Sequence, residues 1–499
     1  MRELDFTPFS VAIQAADTIL MASLEELTLQ TTITDLREQF KQGLLSSFSL
    51  TLFYLLRIQK YDTRLRSIIE LNPDALTEAT RLDELSRRDM EEGLLHGIPV
   101  LLKDNIATGD RLHNTAGSLA LRHHRAPDDA LLVKQLRSAG ALILGKTNMS
   151  EWAFAMSSNA PSGYSARGGQ VVNPFARELE VAGSSTGSAV AVAARFAVAA
   201  IGTETAGSII APASFNGVAG MRPTTGLVSN DRIIPVCSSL DSAGPIARSV
   251  HDLTMLLTVI ATQSEQSADS NTSHAQLARS FTVSLKDKPL AGLRIAVIRG
   301  CLLNYSDTDE TLLGGLLKTL DSAGCRMIDV SIPDDKSAEL LADRSDMLFS
   351  DMRNGINAYL KHNHAPVSTL NDIIAFNKAD PKQRIPYGQD LLIRAQGCPM
   401  TSDEYATLTA STQTCALGII RNAADTVDAD ILLSLDNHFS YVYSAAGVPA
   451  VTIPVGRDQS GQPHGATLVG VDRKTDNEVL AIARAVEKKL MLFESPQLE

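Results

Sequence analysis

Apolar residues recur with two different periods along this chain, and each change of period marks a new element. Over 24–95 they fall at helical spacing. "SLEELTLQTTITDLREQFKQG" opens on a Ser-x-x-Glu capping pattern, after which Leu, Ile and Phe return every three or four positions. The pattern predicts a helical layer. "HGIPVLLKDNI" (96–106) breaks it, because a short apolar run bounded by Gly97 and Pro99 predicts a buried strand that ends in polar residues. "ALLVKQLRSAGALILGKTNM" (130–149) predicts a helix, a stop at Gly140 and a second buried strand. "GSAVAVAARFAVAAIG" (187–202) is apolar nearly all round, which predicts a buried helix running into a strand. "LRIAVIRG" (293–300), "CRMIDVSI" (325–332), "ADILLSL" (429–435) and "PAVTIPVG" (449–456) predict further strands with helical stretches between them. The polar run "TQSEQSADSNTSHAQ" (262–276) predicts an exposed loop.

Strand–helix alternation of this kind predicts one large α/β domain with an N-terminal helical layer. Composition agrees: of 499 residues, 44% are hydrophobic and 20% charged, as in an ordinary globular chain. The formal net charge of −12 argues against nucleic acid or an anionic membrane as a partner, since both reward concentrated Lys and Arg. Five scattered cysteines, never in a CxxC pair, predict thiols in a reducing compartment and neither a disulfide frame nor a zinc site. Glu3, Asp5 and Asp17 stand where a signal peptide needs positive charge and an unbroken apolar run, and no segment has the length of a membrane span. The expected location is cytoplasmic. The histidines form no H-E-x-x-H or similar ligand pattern, so neither metal nor cofactor is expected. Oligomeric state is not legible.

Candidate chemistry concentrates in "VAGSSTGSAVAVAARFAVAAIGTETAGSIIAPAS" (181–214), two serine-bearing clusters joined by an apolar run. "GSSTG" fits a nucleophile elbow centred on Ser185, but an elbow needs a strand directly before it and an acid and then a histidine after it. The preceding "NPFARELEVA" is a poor strand, and the best downstream pair, Asp436 and His438, lies within "SLDNHFS". In "TETAGSIIAP" the small residues before Ser208 allow the backbone N–H groups of Thr205, Ala206 and Gly207 to face one point, as an oxyanion hole requires. A tightly packed turn reads the same way. Lys103 ends an apolar strand; a lysine buried without a carboxylate partner loses its charge and becomes a base, whereas one snorkelling to solvent or paired with Asp104 does not.

"GIPVLLKDN", "GSSTGSA" and "GTETAGSIIAPAS", with Ser208 placed 24 residues after Ser184, together resemble the amidase signature family. The likeness runs over roughly 25–260 and resumes near 435–490. Segments such as "IIELNPDAL", "GKTNMSEWA", "ARGGQVVNP" and "DSAGPIARSVHD" look most like bacterial peptide amidases, which release the terminal amide of peptides as ammonia. The resemblance implies one domain over 1–499 with a mixed central sheet covered by helices on both faces: an N-terminal layer (1–95), a signature core (96–260), a variable substrate-pocket region (261–430) and a C-terminal part of the core (431–499). It implies a Ser–Ser–Lys triad in which Ser208 attacks, Ser184 relays the proton and Lys103 is the base. Thr205, Ala206 and Gly207 then supply the oxyanion hole, and Ser158 and Ser185 lie at the substrate. Trp152 reads as a core anchor and Arg167 as a structural hydrogen-bond donor.

Several positions depart from the family pattern: Ala206 replaces a glycine, Glu204 an aspartate and Ile210 an arginine, and "AGSSTG" stands for "GGSSGG". The Ala206 substitution puts the oxyanion hole in question, because alanine disfavours positive φ. The expected activity is hydrolysis of a peptide amide or related small amide. Rival readings are a fatty-acyl, aryl or biosynthetic amide hydrolase, an acyltransferase, one component of a tRNA-dependent amidotransferase complex, and an idle member serving as a binding module.

Overall fold

The short apolar runs pair into one sheet. The computed structural model describes residues 3–29, 31–86, 93–261, 288–299, 305–332, 334–398, 400–471 and 475–498, so the polar run at 262–276 lies outside the described residues. Eleven strands form the sheet: β1 (Ile68–Leu71), β2 (Pro99–Lys103), β3 (Leu142–Thr147), β4 (Ala199–Glu204), β5 (Ala219–Arg222), β6 (Ser242–Ala247), β7 (Arg294–Arg299), β8 (Arg326–Ser331), β9 (Ile431–Leu435), β10 (Ala450–Arg457) and β11 (Pro463–Val469). Their order is β1-β3-β2-β4-β6-β5-β10-β11-β9-β7-β8. The sheet is mixed: β2 runs parallel to β3 and β4, β4 antiparallel to β6, and β7 parallel to both β8 and β9. The chain is a single α/β domain, as expected.

Helices cover both faces, and the alternation within single strands shows why. Ile295, Val297, Ile431, Leu433, Val451 and Ile453 pack into one core together with Leu316, Val479 and Leu480 of flanking helices. Their neighbours Ala296, Ile298, Leu432 and Ala450 pack into another with Ile419, Ile420 and Tyr443. A strand apolar on both sides must be buried on both, which is the condition for a continuous hydrophobic run.

Two sequence readings need correction. The helix that contains Ser23 spans Thr18–Leu27 and is capped by Asp17, whose side chain accepts from the Ile19 and Leu20 amides, so Ser23 lies in its interior. The capping box belongs instead to Thr32 and Asp35, at the start of Ile33–Lys41. Residues 24–95 are also not helical throughout, since "IIEL" forms β1, paired antiparallel with β3. A four-residue segment carries no periodicity that separates strand from helix, and pairing decides it.

The topology aims three strand ends at one place. Because β2 and β4 are parallel, Lys103 and Glu204 end them on the same side of the sheet; β6, antiparallel to β4, starts there at Ser242. Crevices beyond the carboxyl ends of parallel strands are where α/β sheets hold ligands. Helix α1 (Thr186–Ala193) feeds into β4, and α2 (Ile210–Phe215) follows it. Every residue of α1 is buried, and its small side chains allow close approach: the Gly187 amide donates to the Asn148 carbonyl, and Thr147 and Ser188 hydroxyls meet at 2.7 Å. A Cβ at Gly187 would collide with backbone atoms of Ser67 and Asn148. Gly187→Ala is therefore expected to lower stability by about 1–3 kcal/mol, read as a fall in Tm by calorimetry.

Candidate active site

Lys103 is fully buried at the end of β2. Its Nζ lies 2.8 Å from Ser184 Oγ and donates to the Thr203 carbonyl at 3.0 Å and the Thr203 hydroxyl at 2.9 Å. The adjacent Asp104 does not pair with it. That carboxylate turns to Thr115, the Gly117 amide and Arg167, which also holds Glu70. Loss of water on burial pushes the lysine pKa down from 10.5 to about 7, against the opposing attraction of Asp241 and Glu204.

Ser184 is also fully buried and follows a cis Gly183–Ser184 bond. Its carbonyl accepts from the Ser150 amide at 3.2 Å. The next amide, that of Ser185, donates to the Ser208 carbonyl at 3.0 Å, and this bond fastens the two serine clusters together. Ser208 borders a cavity of about 500 Å³, along with Gly183, Thr205 and Ala206. No hydrogen bond joins the Ser184 and Ser208 hydroxyls among the described residues.

The turn before Ser208 has the shape an anion site needs. Gly207 adopts φ +81°, whereas Ala206 stays out of the left-handed region, so alanine replaces glycine there without strain. Among the described residues, the amides of Ala206, Gly207 and Ser208 donate to no protein acceptor. Three side chains brace this turn. Glu204 accepts from the Ile209 and Ile210 amides at 2.7 and 3.0 Å, so the acid at this position holds the entry to α2 where Ile210 offers no cation. Thr205 donates to Asp241 at 2.6 Å, and Asp241 in turn accepts from the Val236 and Cys237 amides. Burial raises Asp241 to about 6 in spite of those bonds.

Two expected substrate contacts lie elsewhere. The Ser185 hydroxyl points into the sheet, donating to the Thr203 carbonyl at 3.0 Å and accepting from its amide at 3.1 Å, and Ser185 does not line the cavity. Its residue is held by β4, which is why the alternate serine of "SST" turns away from the ligand side. Ser158 is exposed and bonds Asp390 at 2.7 Å, away from the cavity lining. The elbow reading finds no support: among the described residues no strand leads directly into Gly183, and Asp436 bonds His464 at 2.7 Å.

Several residues at the site carry no motif of their own. Thr203 holds the amine from the penultimate position of β4. Asp241 stands at the head of "DSAGPIARSVHD". Leu348, Phe349 and Leu391 come from the 261–430 region, where the sequence carries little recognisable likeness, Asn437 from the turn after β9, and Tyr441 from the helix Ser440–Ala446 that follows it. Trp152, Ala153 and Phe154 all have positive φ (53°, 54° and 81°). Non-glycine residues in this conformation cost roughly 1–2 kcal/mol each. The turn buries Trp152 in the core and brings Phe154 to the cavity wall. For a metal, Asp309, Asp436 and His464 bring three ligating atoms within 4.8 Å of one another among the described residues, and none of them borders the cavity.

The amidase family profile matches residues 49–480. A probable amidase of Arabidopsis thaliana is 33% identical over 94% of this chain and 91% of its own length. A glutamyl-tRNA(Gln) amidotransferase subunit of Protochlamydia amoebophila is 30% identical over 91% of this chain and 95% of its own. The native peptide amidase of Stenotrophomonas maltophilia superposes with a TM-score of 0.87 at 38% identity, covering 94% of this chain and 99% of that one. Among the described residues, no helix is long and apolar enough to cross a membrane.

Lys103 is expected to titrate with a midpoint near pH 7, against about 10.4 for exposed lysines, in a nitrogen-detected NMR titration. Because the Asp241 charge favours the ammonium, Asp241→Asn is expected to move that midpoint lower.

Proposed function

The chain belongs to the amidase family and is an amide-hydrolysing enzyme, and on that premise we propose that it works through an acyl-enzyme on Ser208, with Ser184 as proton relay and Lys103 as base. The observation that carries this reading is a fully buried amine, with no carboxylate partner among the described residues, 2.8 Å from a serine hydroxyl. Uncharged, Lys103 has two N–H groups and one lone pair. The two N–H groups match the carbonyl and hydroxyl of Thr203, which leaves the lone pair for the Ser184 proton.

Chemistry follows from that inventory. Ser208 Oγ attacks the amide carbon, its proton passes to Ser184 Oγ, and the Ser184 proton passes to Lys103 Nζ. The tetrahedral oxyanion accepts hydrogen bonds from the free amides of the 205–208 turn, where one good donor is typically worth about 2.7–4 kcal/mol. The proton returns along the same path to the departing nitrogen, and the C–N bond breaks to release ammonia or an amine. Water then attacks the ester with the same relay as base, giving the carboxylic acid and free Ser208. Hydrogen bonds between such groups commonly close only in the complex with substrate, which fits the open Ser184–Ser208 gap.

The substrate we favour is the terminal amide of a peptide, or a related small amide. Similarity to the Stenotrophomonas maltophilia peptide amidase over nearly its whole length supports this. The likeness to amidotransferase subunits favours a second reading, in which the chain works within a complex. Release of ammonia from a peptide amide by the purified chain alone separates the two.

Ser208→Ala is expected to lose turnover by on the order of 10⁴-fold or more and to lose labelling by a fluorophosphonate, while keeping its circular dichroism spectrum. Retained activity in that variant overturns the assignment. Since the base must be neutral, kcat/KM is expected to fall about tenfold per pH unit below roughly pH 7, in a range where the protein remains folded. An acid limb that stays flat there contradicts a lysine base.

A further inference from the structure

The cavity beside Ser208 is electrically one-sided. Among the described residues that border it, Glu180 is the only acidic one and none is a Lys, Arg or His. The remaining wall is largely apolar, with Phe154, Leu348, Phe349 and Leu391 on it. Two arginines near the site are committed elsewhere. Arg222 donates to the carbonyls of Glu204 and Leu240, and Arg167 is held by Asp104 and Glu70. A carboxylate on a bound substrate would find no counter-ion among the described residues of the lining.

Glu180 is held in place although it is exposed. Its amide donates to the Gln462 side chain at 2.9 Å and its carbonyl accepts from Asn173 at 2.7 Å. One carboxylate oxygen, Oε1, accepts from the Ala182 amide at 2.8 Å. The other, Oε2, has no hydrogen-bond partner among the described residues. Ala182 and Gly183, the two residues leading into Ser184, also border the cavity, so the anchored carboxylate stands on the wall that carries the relay.

We propose that Glu180 selects substrates by charge: the cavity takes amides whose acyl part carries a cationic group, received by Glu180, beside an uncharged side chain seated on the Phe154–Leu391 wall, and it disfavours amides bearing a carboxylate there. This rests on the reading of Ser208 as nucleophile for where the acyl part lies, and it adds the class of acyl group accepted. Glu180→Gln isolates the charge, because a glutamine oxygen still accepts from the Ala182 amide.

The test is calorimetric binding to Ser208→Ala of three probes that differ in one side chain: N-acetyl-Lys-Phe-amide, N-acetyl-Gln-Phe-amide and N-acetyl-Glu-Phe-amide. At an ionic strength of about 0.01 M the lysine probe is expected to bind roughly fivefold tighter than the glutamine probe and the glutamate probe roughly fivefold weaker, the size of an exposed ion pair. The order should shrink at about 1 M salt, flatten in Glu180→Gln and reverse in Glu180→Lys. Equal affinities for the three probes, an order unchanged by Glu180→Gln, or no binding of any of them overturns the proposal. Turnover by the unaltered enzyme is read separately: absence of fluorophosphonate labelling at Ser208 sinks the nucleophile reading, whereas turnover of the three probes without charge preference sinks only the role of Glu180.

Discussion

The burial of one primary amine constrains everything around it. Lys103 ends β2 with no solvent exposure and no carboxylate in contact among the described residues, and the loss of hydration brings its pKa to about 7. A displacement of that size disfavours the charged form by about 5 kcal/mol. The surroundings tolerate the neutral amine because Thr203 offers a carbonyl and a hydroxyl to its two N–H groups. They also keep Asp104, one residue away, turned toward Arg167. Had that carboxylate faced the amine, an ion pair would have held the lysine charged and closed off its lone pair.

Around the amine, rigidity comes from polar groups of the backbone more than from large side chains. Ser185 bonds both polar backbone groups of Thr203, the Ser185 amide bonds the Ser208 carbonyl, and Glu204 and Asp241 brace the turn between them. Small residues make this possible: Gly187 and Gly202 each sit where an added Cβ would press on a neighbour, Gly202 against Ser185 itself. The two serine clusters therefore form one unit despite the helix and strand between them. Positioned groups of this kind keep the cost of organising a reacting geometry out of the chemical step.

The cavity walls have a different origin. Helix α3 (Asp334–His362) contributes Leu348 and Phe349, and the short helix Asp390–Gly397 contributes Leu391. These belong to the 261–430 region, set against the Ser208 turn by packing around Trp152 and Ile356. In the proposed mechanism, walls drawn from separate helices leave selectivity to residues that take no part in proton transfer, the usual division of labour between a scaffold and the segments around its site.

Much of the fold was legible in the chain alone. Alternating helical runs and short apolar runs specify an α/β domain, and the strands at 99–103, 142–147, 294–299, 326–331, 431–435 and 450–457 all lie where the apolar runs placed them. Both serine clusters and Lys103 stood out only together, through a spacing that resembles the amidase signature family; taken singly, a packed turn and a snorkelling lysine read as well. What the sequence could not decide is which groups face one another. The strand at 68–71, the inward turn of Ser185, the diversion of Ser158 to Asp390, and the roles of Thr203 and Asp241 all depend on pairing between segments far apart in the chain or on the side of a strand a residue occupies. Local pattern encodes period and burial; orientation and partnership are settled only when the sheet assembles, because hydrogen bonds between distant segments are chosen by the packing that brings them together.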